Sequence, residues 1–239
     1  MVTRRKTVSP NGTDETAKQL DARMRSEYAK LTALYPHAGM TLDHHSPWEL
    51  LVATVLSAQT TDRRVNTVTP ALFAAYPDPQ ALAAADVRDV EAIIRPLGFY
   101  RTKALHIVEL SRELVDRFSG VVPQTLEELV TLSGVGRKTA NVVLGDVFGK
   151  PGFPVDTHVR RVTSRLRWHD QWRRTNPDVV KIEKQVTAHF PPQEWATLSH
   201  RLILLGRNIC HARGPQCALC PLRDTCPTAP EYLSGTRGA

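Results

Sequence analysis

A chain of 239 residues with 41% apolar side chains can bury one large core or two modest ones without disulfide or metal staples. Lys and Arg number 31 against 24 Asp and Glu, a net charge of +7, which favours an anionic partner over a neutral or basic one. No stretch approaches the ~20 apolar residues of a membrane span, and MVTRRKTVSPNGTDETAKQ lacks a signal-peptide core, so residues 1–19 read as a flexible basic tail on a cytoplasmic protein.

Apolar spacing is helical nearly throughout, and no window alternates with period two between hairpin turns, so the expected fold is all-α. After a helix over 20–35, Ser46 offers an N-cap, Pro47 a first helical residue and Glu49 a capping-box partner for the apolar run WELLVATVLSA. Further helices are expected over 62–76, 78–84, 86–94, 100–118, 125–132, 137–148, 157–167, 178–190 and 194–209. Pro70 should kink or break the first of these. RPLGF, FSGVVPQ and FGKPGFP supply the stops between helices, and no repeat of fixed period appears.

Residues 125–149, TLEELVTLSGVGRKTANVVLGDVFG, read as helix, tight turn and helix: a helix-hairpin-helix. Gly134 and Gly136 tolerate positive φ and carry no Cβ, so a phosphate can approach the amides at the second helix's N-terminus, beside Arg137. Such contacts hold the DNA backbone rather than read bases. The competing reading is an ordinary helical connection with glycine caps. Lys138 stands on the end of the helix dipole that disfavours a cation, by about 0.3–1 kcal/mol. With Arg137 beside it, that placement suits a lysine whose neutral amine is wanted as a Schiff-base nucleophile. A solvated surface lysine is the alternative.

In FPVDTHVRRVTSRLR, Asp156 is placed as the N-cap of the next helix, or as a carboxylate that activates a lysine and stabilises a cationic sugar. The arginines that follow suit a phosphate-tracking surface, with Arg160, Arg161 and Arg207 as candidate contacts; a solvated helix face is the alternative. Trp168 and Trp172 are read as packed. All four cysteines fall in CHARGPQCALCPLRDTC: Cys210, Cys217, Cys220 and Cys226. Their grouping without a secretion signal argues for metal over disulfides. The spacing has one C-x-x-C knuckle and leaves zinc and an iron-sulfur cluster both open, with His211 a conceivable substitute ligand.

SAQTTD, LGFYRTKA, LSGVGRKTANVVL, VDTHVRRV and the cysteine loop, in this order over about 41–226, resemble the endonuclease III family of DNA glycosylases. The resemblance implies a six-helix barrel domain over 40–150 and an iron-sulfur domain from 20–39 and 151–226, with a tail over 227–239. It implies a 4Fe-4S cluster on the four cysteines and a monomer acting on double-stranded DNA with oxidised pyrimidines or abasic sites. Lys138 would attack C1′ of a flipped-out nucleotide, with Asp156 as its carboxylate partner, and β-elimination would follow. Gln59 would fill the vacated space and Phe99 would wedge between base steps, although core packing also suits a phenylalanine. Ser133 stands where the family commonly has proline, which should loosen the turn, and Phe99 stands where leucine is familiar. Two rivals are an adenine glycosylase of the same superfamily and a non-catalytic helix-hairpin-helix module. Against the first stand Lys138 and only 13 residues after Cys226, too few for an added recognition domain.

Overall fold

The computed structural model describes residues 15–235, and every regular element among them is helical. In chain order these are α1 (Ala17–Leu34), α2 (Pro47–Leu56), α3 (Asp62–Val65), α4 (Thr69–Ala75), α5 (Pro79–Ala83), α6 (Val87–Ile94) and α7 (Tyr100–Phe118). There follow α8 (Leu126–Leu129), α9 (Arg137–Asp146), α10 (Thr157–Arg165), α11 (Val179–Thr187), α12 (Trp195–Asn208) and α13 (Ala229–Leu233).

Most differences from the expected boundaries have local causes. The tail expected over 1–19 lies partly outside the described residues, but its end is helical. Thr16 accepts from the Gln19 amide while the Gln19 side chain reaches back to the Thr16 N–H at 2.8 Å, a complete capping box. At Ser46 the reciprocal bond shifts by one residue: Glu49 accepts from the His45 N–H at 2.6 Å. Pro70 opens α4 rather than kinking a longer helix, because its missing N–H is harmless in a first turn. Part of the tail expected over 227–239 is α13, whose Tyr232 ring lies 4.8 Å from the Arg165 guanidinium.

The chain divides into two compact units, Met40–Gly152, and Met1–Gly39 with Phe153–Ala239. In the first, α2 is buried at Trp48 and from Leu50 to Leu56, as expected of a helix apolar beyond its first turn, among Ile94, Ile107, Leu110, Leu129 and Leu144. In the second, Met24 and Leu31 of α1 pack with Phe153, Val162, Trp168, Ile182, Leu198 and Leu202. What fastens α1 to residues more than a hundred positions away is partly polar. Glu27, fully buried, accepts from Trp168 Nε1 at 2.6 Å and pairs with Arg23 at 3.2 Å, while Arg23 also donates to the Leu166 carbonyl at 2.9 Å. Burial, the largest influence, raises the Glu27 carboxyl above its ordinary pKa, against the opposing charge of Arg23 and the Trp168 hydrogen bond.

Candidate nucleic-acid interface and cysteine loop

The hairpin between α8 and α9 has the expected form. Gly134 takes φ +73°, and a Cβ there would approach the His106 side chain to 3.0 Å. Gly136 has an ordinary negative φ; a Cβ there would meet nothing within 4 Å, so its freedom is an open approach rather than a special dihedral. As N-cap of α9, Gly136 offers no side-chain acceptor, leaving that end open to an anion. Lys138 is exposed on this first turn, and Arg137 beside it is half-buried.

Ser133 does not loosen the turn. Its N–H, which proline lacks, donates to Glu113 Oε2 at 2.7 Å, and its hydroxyl donates to Glu109 Oε2 at 3.0 Å. Two carboxylates one helical turn apart on α7 therefore hold the hairpin where a ring would have stiffened it.

Gln59 and Phe99 share a feature that only four non-glycine residues show among the described ones: left-handed backbone, φ +54° and +58°. That conformation costs roughly 1–2 kcal/mol per residue and persists only where neighbours impose it. Gln59 lies beyond the end of α2, exposed, and is no terminal helix residue. Phe99 caps α7 and is 67% exposed, which rules out the core-packing reading. Its ring is therefore available to a partner rather than to the core.

In the other unit Asp156 caps α10, its Oδ1 accepting the Val159 N–H at 2.7 Å. Two residues on, His158 sits against Gly206, where a Cβ would come within 2.9 Å of it. Burial, chiefly, holds the His158 imidazole below its ordinary pKa, and its Nδ1 accepts from Arg161 at 3.1 Å. Arg161 was expected on phosphate, but its guanidinium also donates to the carbonyls of Cys210 at 2.9 Å and Gly206 at 2.8 Å, so it braces the cysteine loop against α10. Arg160 is half-buried and Arg207 exposed. Trp168 is packed in the core, whereas half-buried Trp172 lies between the guanidinium groups of Arg167 and Arg173, each 4.3 Å from its ring.

Cys210, Cys217, Cys220 and Cys226 all line one cavity with Val162, Leu205 and Leu222. Among the described residues no group of three or more His, Cys, Asp or Glu side chains is arranged to hold a metal ion. Burial pushes the Cys220 thiol up to about 11, against the opposing hydrogen bond from the Leu222 amide; Cys226 is raised by the same cause and accepts from the Thr228 and Ala229 amides. Arg165, unremarked in the sequence beyond its charge, donates to Cys210 Sγ at 3.2 Å and to the His211 and Ala212 carbonyls at 2.6 and 3.0 Å.

This architecture defines a helix-hairpin-helix DNA repair protein: residues 52–192 match the profile of the HhH-GPD superfamily base excision DNA repair proteins. Endonuclease III of Synechocystis sp. is 48% identical over 200 residues, covering 83% of this chain and 89% of the relative. The Escherichia coli enzyme is 39% identical over 191 residues, covering 80% and 88%. A solved trapped endonuclease III–DNA covalent intermediate is 41% identical with a TM-score of 0.83, covering 89% of this chain and 98% of that one. A thermostable thymine-DNA glycosylase, 19% identical with a TM-score of 0.81 and covering 88% and 98%, shares the fold. The chain belongs to the endonuclease III family and is a DNA glycosylase of base excision repair.

Proposed function

We propose that this glycosylase removes oxidised pyrimidines from double-stranded DNA and then cleaves the abasic strand through a lysine Schiff base. The observation that carries this reading is Lys138: an exposed amine in the first turn of α9, directly after a hairpin whose open N-terminus suits a phosphate. The covalent intermediate of the 41% identical relative supports it. The deprotonated Lys138 amine attacks C1′ as the C1′–N bond breaks, and the base leaves carrying that electron pair and takes up a proton. Ring opening gives an imine between Nζ and C1′. The imine acidifies the C2′–H, and loss of that proton expels the 3′ phosphate. Asp156 supplies the carboxylate that takes the proton from the amine and offsets the developing positive sugar. Gln59 and Phe99 occupy the stack left by the extruded nucleotide, and Gly134, Gly136, Arg137, Arg160 and Arg207 hold phosphates.

The cysteine loop fits a 4Fe-4S cluster. Four thiols lining one cavity match in number and kind the four thiolates that a 4Fe-4S cluster takes, one for each iron. The cluster would supply the positive charge that makes buried thiolates tolerable. Amides donating to Cys220 and Cys226, and the Arg165 guanidinium at Cys210, would moderate their negative charge.

Borohydride reduction during incubation with an abasic duplex tests the reading. A stable protein–DNA adduct is expected. Base release with no adduct on any substrate would make this a glycosylase using water, and the lyase assignment would fall.

A further inference from the structure

The strained loops at Gln59 and Phe99 are joined by a group that the reaction leaves unused. Lys103, in the first turn of α7, is buried, and its Nζ donates to Thr60 Oγ1 at 2.6 Å across 43 residues of sequence. Desolvation holds that amine below its ordinary pKa. Thr60 immediately follows Gln59; its hydroxyl also reaches back to the Ala58 carbonyl at 3.4 Å and its amide donates to Ser57 at 3.0 Å, closing the chain around the left-handed residue. The backbone N–H of Lys103 in turn donates to the Phe99 carbonyl at 3.0 Å, the first bond of α7. A second tie runs alongside, from Arg64 Nε to the Pro96 carbonyl at 3.2 Å. Burying a lysine to bond one hydroxyl is unfavourable unless the geometry it enforces matters. On one side it holds the carbonyl of left-handed Phe99, and on the other the hydroxyl of the residue that follows left-handed Gln59.

We propose that Lys103 is a positioning residue for duplex intrusion, holding the Gln59 and Phe99 loops in register through Thr60 so that both side chains stand ready before DNA arrives. This rests on the reading that Gln59 and Phe99 enter the stack. Preforming a strained loop moves its ordering cost from the binding step to folding, and the benefit falls only on substrates that have a stack to enter.

The test uses full-length Lys103→Met, Thr60→Val and Thr60→Ser proteins. 2-Aminopurine opposite a tetrahydrofuran abasic analogue reports intrusion by its fluorescence on binding, and cleavage is followed on duplex and single-stranded abasic DNA. Lys103→Met and Thr60→Val should each lose most of the fluorescence rise and about tenfold in duplex kcat/KM, with single-strand cleavage within twofold of wild type. Thr60→Ser, which keeps the hydroxyl, should behave as wild type. In a background carrying both Gln59→Ala and Phe99→Ala, Lys103→Met should add less than twofold. Equal losses on both substrates, or none on either, by Thr60→Val overturns the proposal even if Lys103→Met folds poorly. If Gln59→Ala and Phe99→Ala each leave the fluorescence rise and duplex cleavage intact, the gap-filling reading itself fails, whatever Lys103 does.

Discussion

The Ser133 amide donates to Glu113 at 2.7 Å, a bond that the proline familiar in this turn could not make. The contact couples the hairpin to α7 through a charge-assisted hydrogen bond, worth about 1–2 kcal/mol at a half-buried site. Glu113→Leu should lower stability by roughly that amount in urea titration and, on the proposed role of the hairpin as a holder of DNA backbone, weaken binding to damaged and undamaged duplex alike several-fold. Ser133→Ala keeps the N–H and loses only the bond to Glu109, so its effect should be smaller, about 0.5–1 kcal/mol. A larger loss from Ser133→Ala than from Glu113→Leu would reverse the assigned roles.

The arginines separate into two kinds, with different expected phenotypes. Arg207 is exposed, whereas Arg161 donates to two carbonyls and His158. Affinity for undamaged duplex should fall linearly in log K against log salt, and Arg207→Ala should reduce the slope by about 0.9 for one lost phosphate contact. Arg161→Ala should instead destabilise the fold, taking the shorter of the donors to the Cys210 carbonyl and one donor from the buried Gly206 carbonyl. A changed slope with unchanged stability for Arg161→Ala would restore it to the DNA surface.

His169 is buried and neutral, its pKa pushed down to about 4 by burial. Its Nδ1 accepts from the Gln171 amide at 3.1 Å, a bond that protonation there abolishes. Since an unfolded histidine titrates near ~6.5, the unfolded chain binds more protons between about pH 4 and 6.5. Stability must therefore rise with pH through that window, and acidification should destabilise the protein there. His169→Gln should flatten the pH dependence measured by urea unfolding at fixed salt. An unchanged slope would place the acid sensitivity elsewhere, with His158, also depressed by burial, the next group to replace.

How much of this was legible in the sequence depended on range. The Gly-x-Gly turn, Asp156 as a cap and the all-α class follow from neighbours within a few residues. The Ser133 tether was not readable, because Glu113 and Glu109 lie 20 and 24 positions upstream, and a serine for a proline reads locally as lost rigidity. Charge alone put Arg161 on DNA, since nothing in a run of arginines says which guanidinium turns inward. Phe99 stayed undecided between core and wedge because both want an aromatic; backbone φ and exposure separate them, and neither is written in the residue type. Lys103 sat within a recognised motif, yet its partner is 43 residues away.

Purified anaerobically, the protein should be yellow-brown and carry about four iron atoms per chain. Cys226→Ser should lower the iron content and destabilise the unit formed by α1 and α10–α13, since Cys226 packs against its core. Stoichiometric zinc without visible absorbance would sink the cluster assignment while leaving the glycosylase family untouched.

Lys138→Gln and Asp156→Asn separate the chemistry from the scaffold. Lys138 is exposed on the first turn of α9, so its amine is not needed for folding, and glutamine keeps the length and polarity while removing the nucleophile. Lys138→Gln should abolish the borohydride adduct and bind abasic duplex within a few-fold of wild type, because the hairpin amides remain. Asp156 bears a structural duty as well, through Oδ1 and the Val159 amide. An asparagine oxygen can make the same capping bond, so Asp156→Asn should keep most of the helix stability while losing on the order of a hundredfold or more in turnover, as the negative charge disappears. Asp156→Ala should lose both, with the cap costing about 1 kcal/mol. If Lys138→Gln is still trapped at the wild-type rate, the nucleophile is another amine. If Asp156→Asn turns over normally, the carboxylate is a helix cap and nothing more.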